Sequence, residues 1–156
     1  MAISSLQAYD QRAMDLEISA PDNESAKTGL AFWVQRVTTE FDRAALDFAP
    51  DPVHDLRVAL RRCRSIAEGY AAFDPDQSWK EMRKTAGRLF KSLGELRDTQ
   101  VMLEWVKKPG APQDGATGVL TDHLTGLERD LKEAAPTALN SFDRKIFNRH
   151  LPVSTG

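Results

Sequence analysis

"VHDLRVALRRCRS", Val53 to Ser65, is the stretch that decides how this chain is read. At about 100° per residue, Leu56, Leu60 and Cys63 share one face of a helix, and Ala67 and Tyr70 extend that face. His54, Arg57, Arg61 and Arg64 fall within roughly 80° of one another beside the apolar seam. The stretch therefore reads as a helix that is apolar on one side and cationic on the next. Arg62 and Asp55 point elsewhere, so Asp55 does not neutralise the row. Like charges three and four positions apart repel, and for the three arginines Glu68 at the far end is the one acidic partner at helical spacing. Such a row is either a solvated surface or a place for an anion.

Working outward, Asp51-Pro52 supplies a cap and a proline at the position where a missing N–H is harmless, which predicts a helix from there to about Phe73. Asp74-Pro75 repeats the device. The third helix is expected to run through Trp79, Met82, Ala86, Leu89, Phe90 and Leu93, with Gly94 as the residue that ends it. Lys84, Arg88 and Lys91 recur on its opposite side at spacings of four and three. If the two helices pack antiparallel through their apolar faces, both basic rows border one groove, and arginine forks with lysine point charges suit phosphate oxygens.

Upstream, Ser25 is the expected cap of a helix whose stripe includes Leu30, Val37, Phe41, Ala45 and Phe48 and which stops at Pro50. Downstream, Asp98 is expected to cap a shorter helix, "TQVMLEWVKK", with a kinked continuation through Gly94 as the alternative. After the loop "PGAPQDGATG" comes a helix with Leu120, Leu124, Leu127 and Leu131 on one face, which Pro136 is expected to bend or break. A last short helix turns Phe142, Ile146 and Phe147 inward. No stretch alternates like a strand. The expected fold is all-α, an antiparallel helical bundle of four main helices plus short terminal helices over residues 25–151. Residues 1–24 are read as an N-terminal extension with a short helix through Leu6, Tyr9, Ala13 and Leu16, and residues 152–156 as a disordered tail.

The 156 residues suit one domain with a core. The formal net charge of −2 conceals a pattern: residues 1–53 carry four basic and nine acidic side chains, residues 54–108 twelve and eight, and residues 109–156 five and six. A polyanion responds to that local excess in the middle rather than to the sum. Cys63, the single cysteine, cannot form an internal disulfide and sits on the apolar face. No apolar run is long enough to span a bilayer, and the N-terminal residues lack a signal-peptide pattern, so a cytoplasmic protein without membrane contact is expected. There is no phosphate-binding glycine loop, no His-Glu-x-x-His and no nucleophile with a base at usable spacing. No catalytic residue, metal site or cofactor is therefore expected.

These residues resemble the CHAD family, the conserved histidine α-helical domain, whose signature is a His-x-x-Arg-x-x-x-Arg-Arg-x-Arg helix followed by a basic helix ending in Leu-Gly-x-x-Arg-Asp. Here the first part reads "HDLRVALRRCR" and the second "LGELRDTQVMLEWV". The resemblance covers roughly residues 27–150 and implies non-catalytic binding of inorganic polyphosphate in a basic channel. Carried over by position, the ligands would be His54, Arg57, Arg61, Arg62, Arg64, Lys84, Arg88 and Lys91, although Arg62 has a different predicted direction. Arg97 is read as a structural arginine paired with a carboxylate or a helix C-terminus.

Family members usually contain two similar four-helix halves, whereas this chain carries one signature and so resembles a single half. A homodimer in which symmetry replaces the internal repeat is one expectation, and association with polyphosphate granules is another.

Two other functions compete. Histidine phosphotransfer modules also carry a histidine on a four-helix bundle, but Val58, Leu60 and Arg61 crowd the place where a receiver would approach His54. Nucleic acid would meet the same phosphate-seeking groove, yet Trp33, Trp79 and Trp105 all fall on expected core faces rather than on a stacking surface.

Overall fold

The computed structural model describes residues 23–151; the helix expected within residues 1–20 and the tail at 152–156 lie outside the described residues. Six helices follow in order: α1 Asn23–Asp47, α2 Pro50–Ala71, α3 Gln77–Ser92, α4 Gly94–Val106, α5 Gly115–Asn140 and α6 Arg144–Asn148. There is no strand among the described residues, and the fold is all-α. No helix among them is long and apolar enough to cross a membrane.

The α1 stripe of Leu30, Val34, Val37, Phe41 and Ala44 meets Val53, Leu56, Leu60 and Cys63 of α2 in a common core that Trp79, Met82, Ala86 and Leu89 of α3 complete. Each large apolar side chain buried this way contributes about 1.5–3 kcal/mol to the packing of α1, α2 and α3. Burial pushes the Cys63 thiol up to about 12, so it stays protonated and acts as a small hydrophobe.

The link between α1 and α2 is tight. Phe48 adopts the left-handed region at φ 52°, uncommon for a residue with a side chain, and its ring is buried. The Phe48 carbonyl accepts a hydrogen bond from Gln100 Nε2 of α4 at 2.9 Å, and the Ala49 N–H donates to Asp47 Oδ1 at 3.1 Å. After that reversal α2 begins at Pro50, two residues earlier than the sequence suggested. Ala49 occupies the cap position without a side-chain bond, and Asp51 lies in the first turn rather than capping it. Pro50 and Pro52 both fall where backbone N–H groups have no intrahelical acceptor, so two prolines are tolerated and the first helical donor is Val53 to the Ala49 carbonyl, at 3.2 Å.

A second shift of two residues occurs before α3. Asp76, not Asp74, caps the helix by accepting the Ser78 N–H at 3.0 Å. Asp74 instead takes the Trp79 indole N–H and the Asp76 N–H, each at 3.0 Å. These hydrogen bonds hold both carboxyls below the usual aspartate value: for Asp74 the Trp79 bond leads, for Asp76 the Ser78 backbone bond.

Gly94 does not stop α3. Leu93 is right-handed (φ −89°, ψ −3°), its N–H reaches the Leu89 carbonyl at 3.1 Å, and its own carbonyl accepts from Arg97 at 3.0 Å. The chain therefore passes through one kinked residue into α4, and Asp98 sits inside α4 instead of capping it. α5 is capped by Asp114, which accepts the Thr117 N–H at 2.7 Å, and it continues through Pro136 to Asn140 without breaking. Proline removes a single donor, and an exposed ring on the solvent side lets the helix resume.

The loop end of the α4–α5 hairpin departs further from expectation. Leu124 is buried, but Leu120 and Trp105 are 45% and 68% exposed, because both lie where the hairpin extends past the core. At the other end of the chain, Phe147 of α6 is buried, with Phe142 and Ile146 half-buried around it. His150 stacks on Trp79 at 3.6 Å, Tyr70 covers the other side of that indole at 4.5 Å, and Ser78 Oγ lies 2.6 Å from His150 Nε2. This stack ties the C-terminal segment to the start of α3.

Candidate functional site: a basic groove between two helices

α2 and α3 pack side by side, and their outer flanks leave a groove of about 630 Å³ between them. Arg57 and Arg64 line it from α2; Arg83, Lys84 and Lys91 line it from α3; Gly87, Phe90 and Gly94 complete it. Helical arithmetic explains the set. Relative to Arg57, Arg64 lies about 20° toward the core, whereas Arg61 and His54 lie about 40° and 60° toward solvent. Relative to Lys84, the groove takes an arc of about 120° through Lys91, Gly87, Gly94, Arg83 and Phe90, and Arg88 lies about 40° outside it on the other side.

The sequence-derived residues therefore separate. Arg57, Arg64, Lys84 and Lys91 come together. His54 and Arg61 are exposed on the outer shoulder of α2 and do not line the groove. Arg62 turns toward α1, with its guanidinium 5.7 Å from the centre of the Trp33 ring. Arg88 faces a different groove, between α3, α5 and α6. Arg83 was not singled out in the sequence; the available signal was its place on one helical stripe with Gly87, Phe90 and Gly94.

Arg57 is the best-fixed cation. Its Nε donates to the Phe90 carbonyl at 3.3 Å, and its guanidinium lies 4.1 Å over the Phe90 ring. A Cβ at Gly94 would stand 3.6 Å from its Nη2, an ordinary contact, so Gly94 lies directly against the fork. Burial lowers its pKa; Asp98 opposes that shift, and Arg97 and Arg61 add to it. An arginine so placed remains charged, with part of its hydration already removed and the N–H groups of both terminal nitrogens left for a ligand. At Gly87 a Cβ would lie 4.0 Å from the Arg64 Cδ, an ordinary contact, so this position admits a side chain beside Arg64.

Among the described residues, no carboxylate is within ion-pair distance of Arg57, Arg61, Arg64, Lys84 or Lys91. Arg83 alone of the lining cations has a partner, Glu68 at 3.7 Å, and that pair is exposed and weak. Arg97 pairs with Glu104 at 3.7 Å, which matches the structural role expected of it. The described residues contain no cluster of three or more His, Cys, Asp or Glu able to hold a metal ion. What the arrangement can do is hold an extended anion: five cations line a shallow groove about two turns long, with a fixed fork at one end.

The family model described as CHAD domain matches residues 30–151. Neither the curated proteins nor the solved structures gave a match to the chain.

Proposed function

The chain belongs to the CHAD family, and we propose that it binds inorganic polyphosphate along the groove between α2 and α3 without transforming it. The observation that carries this reading is the convergence of Arg57, Arg64, Arg83, Lys84 and Lys91 with one weakly held carboxylate between them. Mutual repulsion raises the free energy of the empty groove, and a chain of closely spaced phosphates relieves it at several positions at once. Arg57 grips a phosphate through its remaining N–H groups, the lysines act as point charges along the chain, and Arg83 exchanges Glu68 for a phosphate oxygen. His54 and Arg61 serve as outer contacts that a longer polymer reaches. In the same reading, two copies meet so that their grooves continue one another, and the protein works in the cytoplasm beside polyphosphate granules.

Calorimetric titration with phosphate oligomers of defined length, at several salt concentrations and beside a DNA of equal charge, tests the reading. Affinity is expected to rise with chain length until the groove is filled, to fall with added salt, and to exceed that for DNA near physiological ionic strength. DNA binding as tight as polyphosphate binding would replace this reading with a general polyanion one. Molar mass measured with and without polyphosphate checks the dimer, which a strictly monomeric species would remove.

A further inference from the structure

Arg88 left the basic groove, and the place it faces is a second concavity on the opposite flank of α3. This groove, of about 710 Å³, is enclosed by α3, the second half of α5 and the α6 segment. Its floor is apolar: Leu89, Leu93 and Leu96 are 3%, 0% and 2% exposed. Leu131, Phe142 and Ile146 stand around it half-buried. Two of the hydroxyls at its edge, those of Ser92 and Ser141, are taken up locally: Ser92 Oγ donates to the Arg88 carbonyl at 2.8 Å and Ser141 Oγ to the Thr137 carbonyl at 3.0 Å, while Thr85 and Thr137 also line it. Asp143 is engaged as the cap of α6, accepting the Lys145 N–H at 2.9 Å.

Two cations stand at the rim, Arg88 and Lys91, and neither has a carboxylate within ion-pair distance among the described residues. An apolar trough of small-molecule size with two cations on one edge is complementary to a molecule that has a hydrocarbon body and an anionic head. We infer that this second groove binds a free single-chain amphiphilic anion, an acyl or alkyl chain bearing a phosphate or carboxylate, with its head on Arg88 and Lys91 and its chain on Leu89, Leu93 and Leu131.

Lys91 lines both grooves. A head group held there competes with a phosphate of the polymer for the same ammonium, so the two ligands weaken each other reciprocally. This coupling, unlike the site itself, rests on the polyphosphate reading.

The test uses the full chain and butyl, hexyl, octyl and decyl phosphate below their micelle concentrations, with inorganic phosphate as the control. Affinity is expected to rise by up to about fourfold for each methylene buried and then to level off. Arg88→Ala is expected to weaken every member of the series by about tenfold. Ala134 is an exposed groove residue, so Ala134→Trp fills the trough without touching the core, and it is expected to abolish the chain-length dependence with unchanged helicity.

Four results would overturn the proposal: no binding of octyl phosphate, whether because residues 1–22 or a second copy already fill the groove; affinity independent of chain length; a chain-length dependence that survives Ala134→Trp; or binding confined to anionic vesicles. Added polyphosphate should raise the apparent Kd for octyl phosphate in the wild type and not in Lys91→Ala. Two ligands that bind without competing would refute the shared lysine. Failure of polyphosphate to bind at all would defeat the earlier reading and leave the alkyl phosphate series to stand or fall alone.

Discussion

The arginines of α1 and of the C-terminal segment reach carboxylates, and those of α2 do not. Arg36 and Arg43 both approach Glu40, at 3.4 and 2.6 Å, and Asp55, at 3.8 and 3.9 Å. Arg144 meets Asp42, and Arg149 meets Glu81 at 3.2 Å. On α2, by contrast, Arg57, Arg61, Arg62 and Arg64 have no ion-pair partner among the described residues. The first group links elements to one another: α1 to α2 through Asp55, α6 to α1, and the C-terminal segment to α3. In the second group Arg57 is held by stacking and a backbone carbonyl and Arg62 by stacking on Trp33, while Arg61 and Arg64 have neither among the described residues. Charge that the fold compensates belongs to the architecture; charge that it orients and leaves bare is available to a ligand.

The contrast can be broken from either side. The largest expected effect lies in the paired set. Glu40 is 1% exposed, so the double variant Arg36→Ala/Arg43→Ala strands a buried carboxylate and is expected to destabilise the fold by about 3 kcal/mol in denaturant unfolding. Its affinity for polyphosphate, measured where it is still folded, should not change. A drop in affinity without a drop in stability would erase the division between the two sets.

A smaller effect is expected from the bare set when its shape is altered and its charge kept. Gly87→Leu puts a side chain into the groove at a half-buried position, where its Cβ meets only the flexible Arg64 side chain. Polyphosphate affinity should fall by about tenfold, roughly 1.4 kcal/mol, while the melting temperature holds or rises because leucine favours helix over glycine.

The smallest effect concerns pH and touches the paired set only through Arg149. Burial lowers the His150 pKa; Asp76 and Asp74 oppose that shift, and Arg149 adds to it. The unfolded chain therefore takes up a proton near the ordinary histidine value of about 6.5 before the folded chain does. His150 contributes stability above that pH, and the contribution is lost as pH falls through the lower folded value. His150→Phe, which keeps the stack on Trp79, should flatten this part of the stability profile in melts between pH 7 and pH 5. An unchanged profile would move the effect to other groups.

Much of the fold was legible because prolines and apolar periodicity are local signals. The stripes of α2 and α3 follow from side-chain spacing alone, that of α1 does so except that Ala44 and not the expected Ala45 is buried, and Cys63 is where the seam puts it. What escaped depends on contacts between elements. The start of α2 moved because Phe48 takes a left-handed conformation supported by Gln100, a residue 52 positions away. Asp74 lost the capping role because Trp79 claimed its carboxylate. Trp105 looked like core on its own helix, but the hairpin carries it past the neighbours that would have covered it.

The groove was half legible for a related reason. Spacing shows which cations share a helical face, and it does not show which edge of that face the neighbouring helix meets. α2 packs against the Arg83 and Gly87 side of α3, so Arg83 joins the groove and Arg88 falls outside it. On α2 itself, packing draws Arg57 and Arg64 inward and leaves His54 and Arg61 on the shoulder.

The most direct test of the central claim compares two variants that remove the same charge. Arg57→Ala/Lys84→Ala strips two groove cations; Arg144→Ala/Arg149→Ala strips two paired ones, and both lower the net charge by two. Titrated with one polyphosphate of defined length at physiological ionic strength, the groove variant is expected to lose at least about a hundredfold in affinity, some 2.7 kcal/mol, and the paired variant to bind as the wild type does. Equal losses in the two would show that total charge, and not the bare row between α2 and α3, is what the polymer senses.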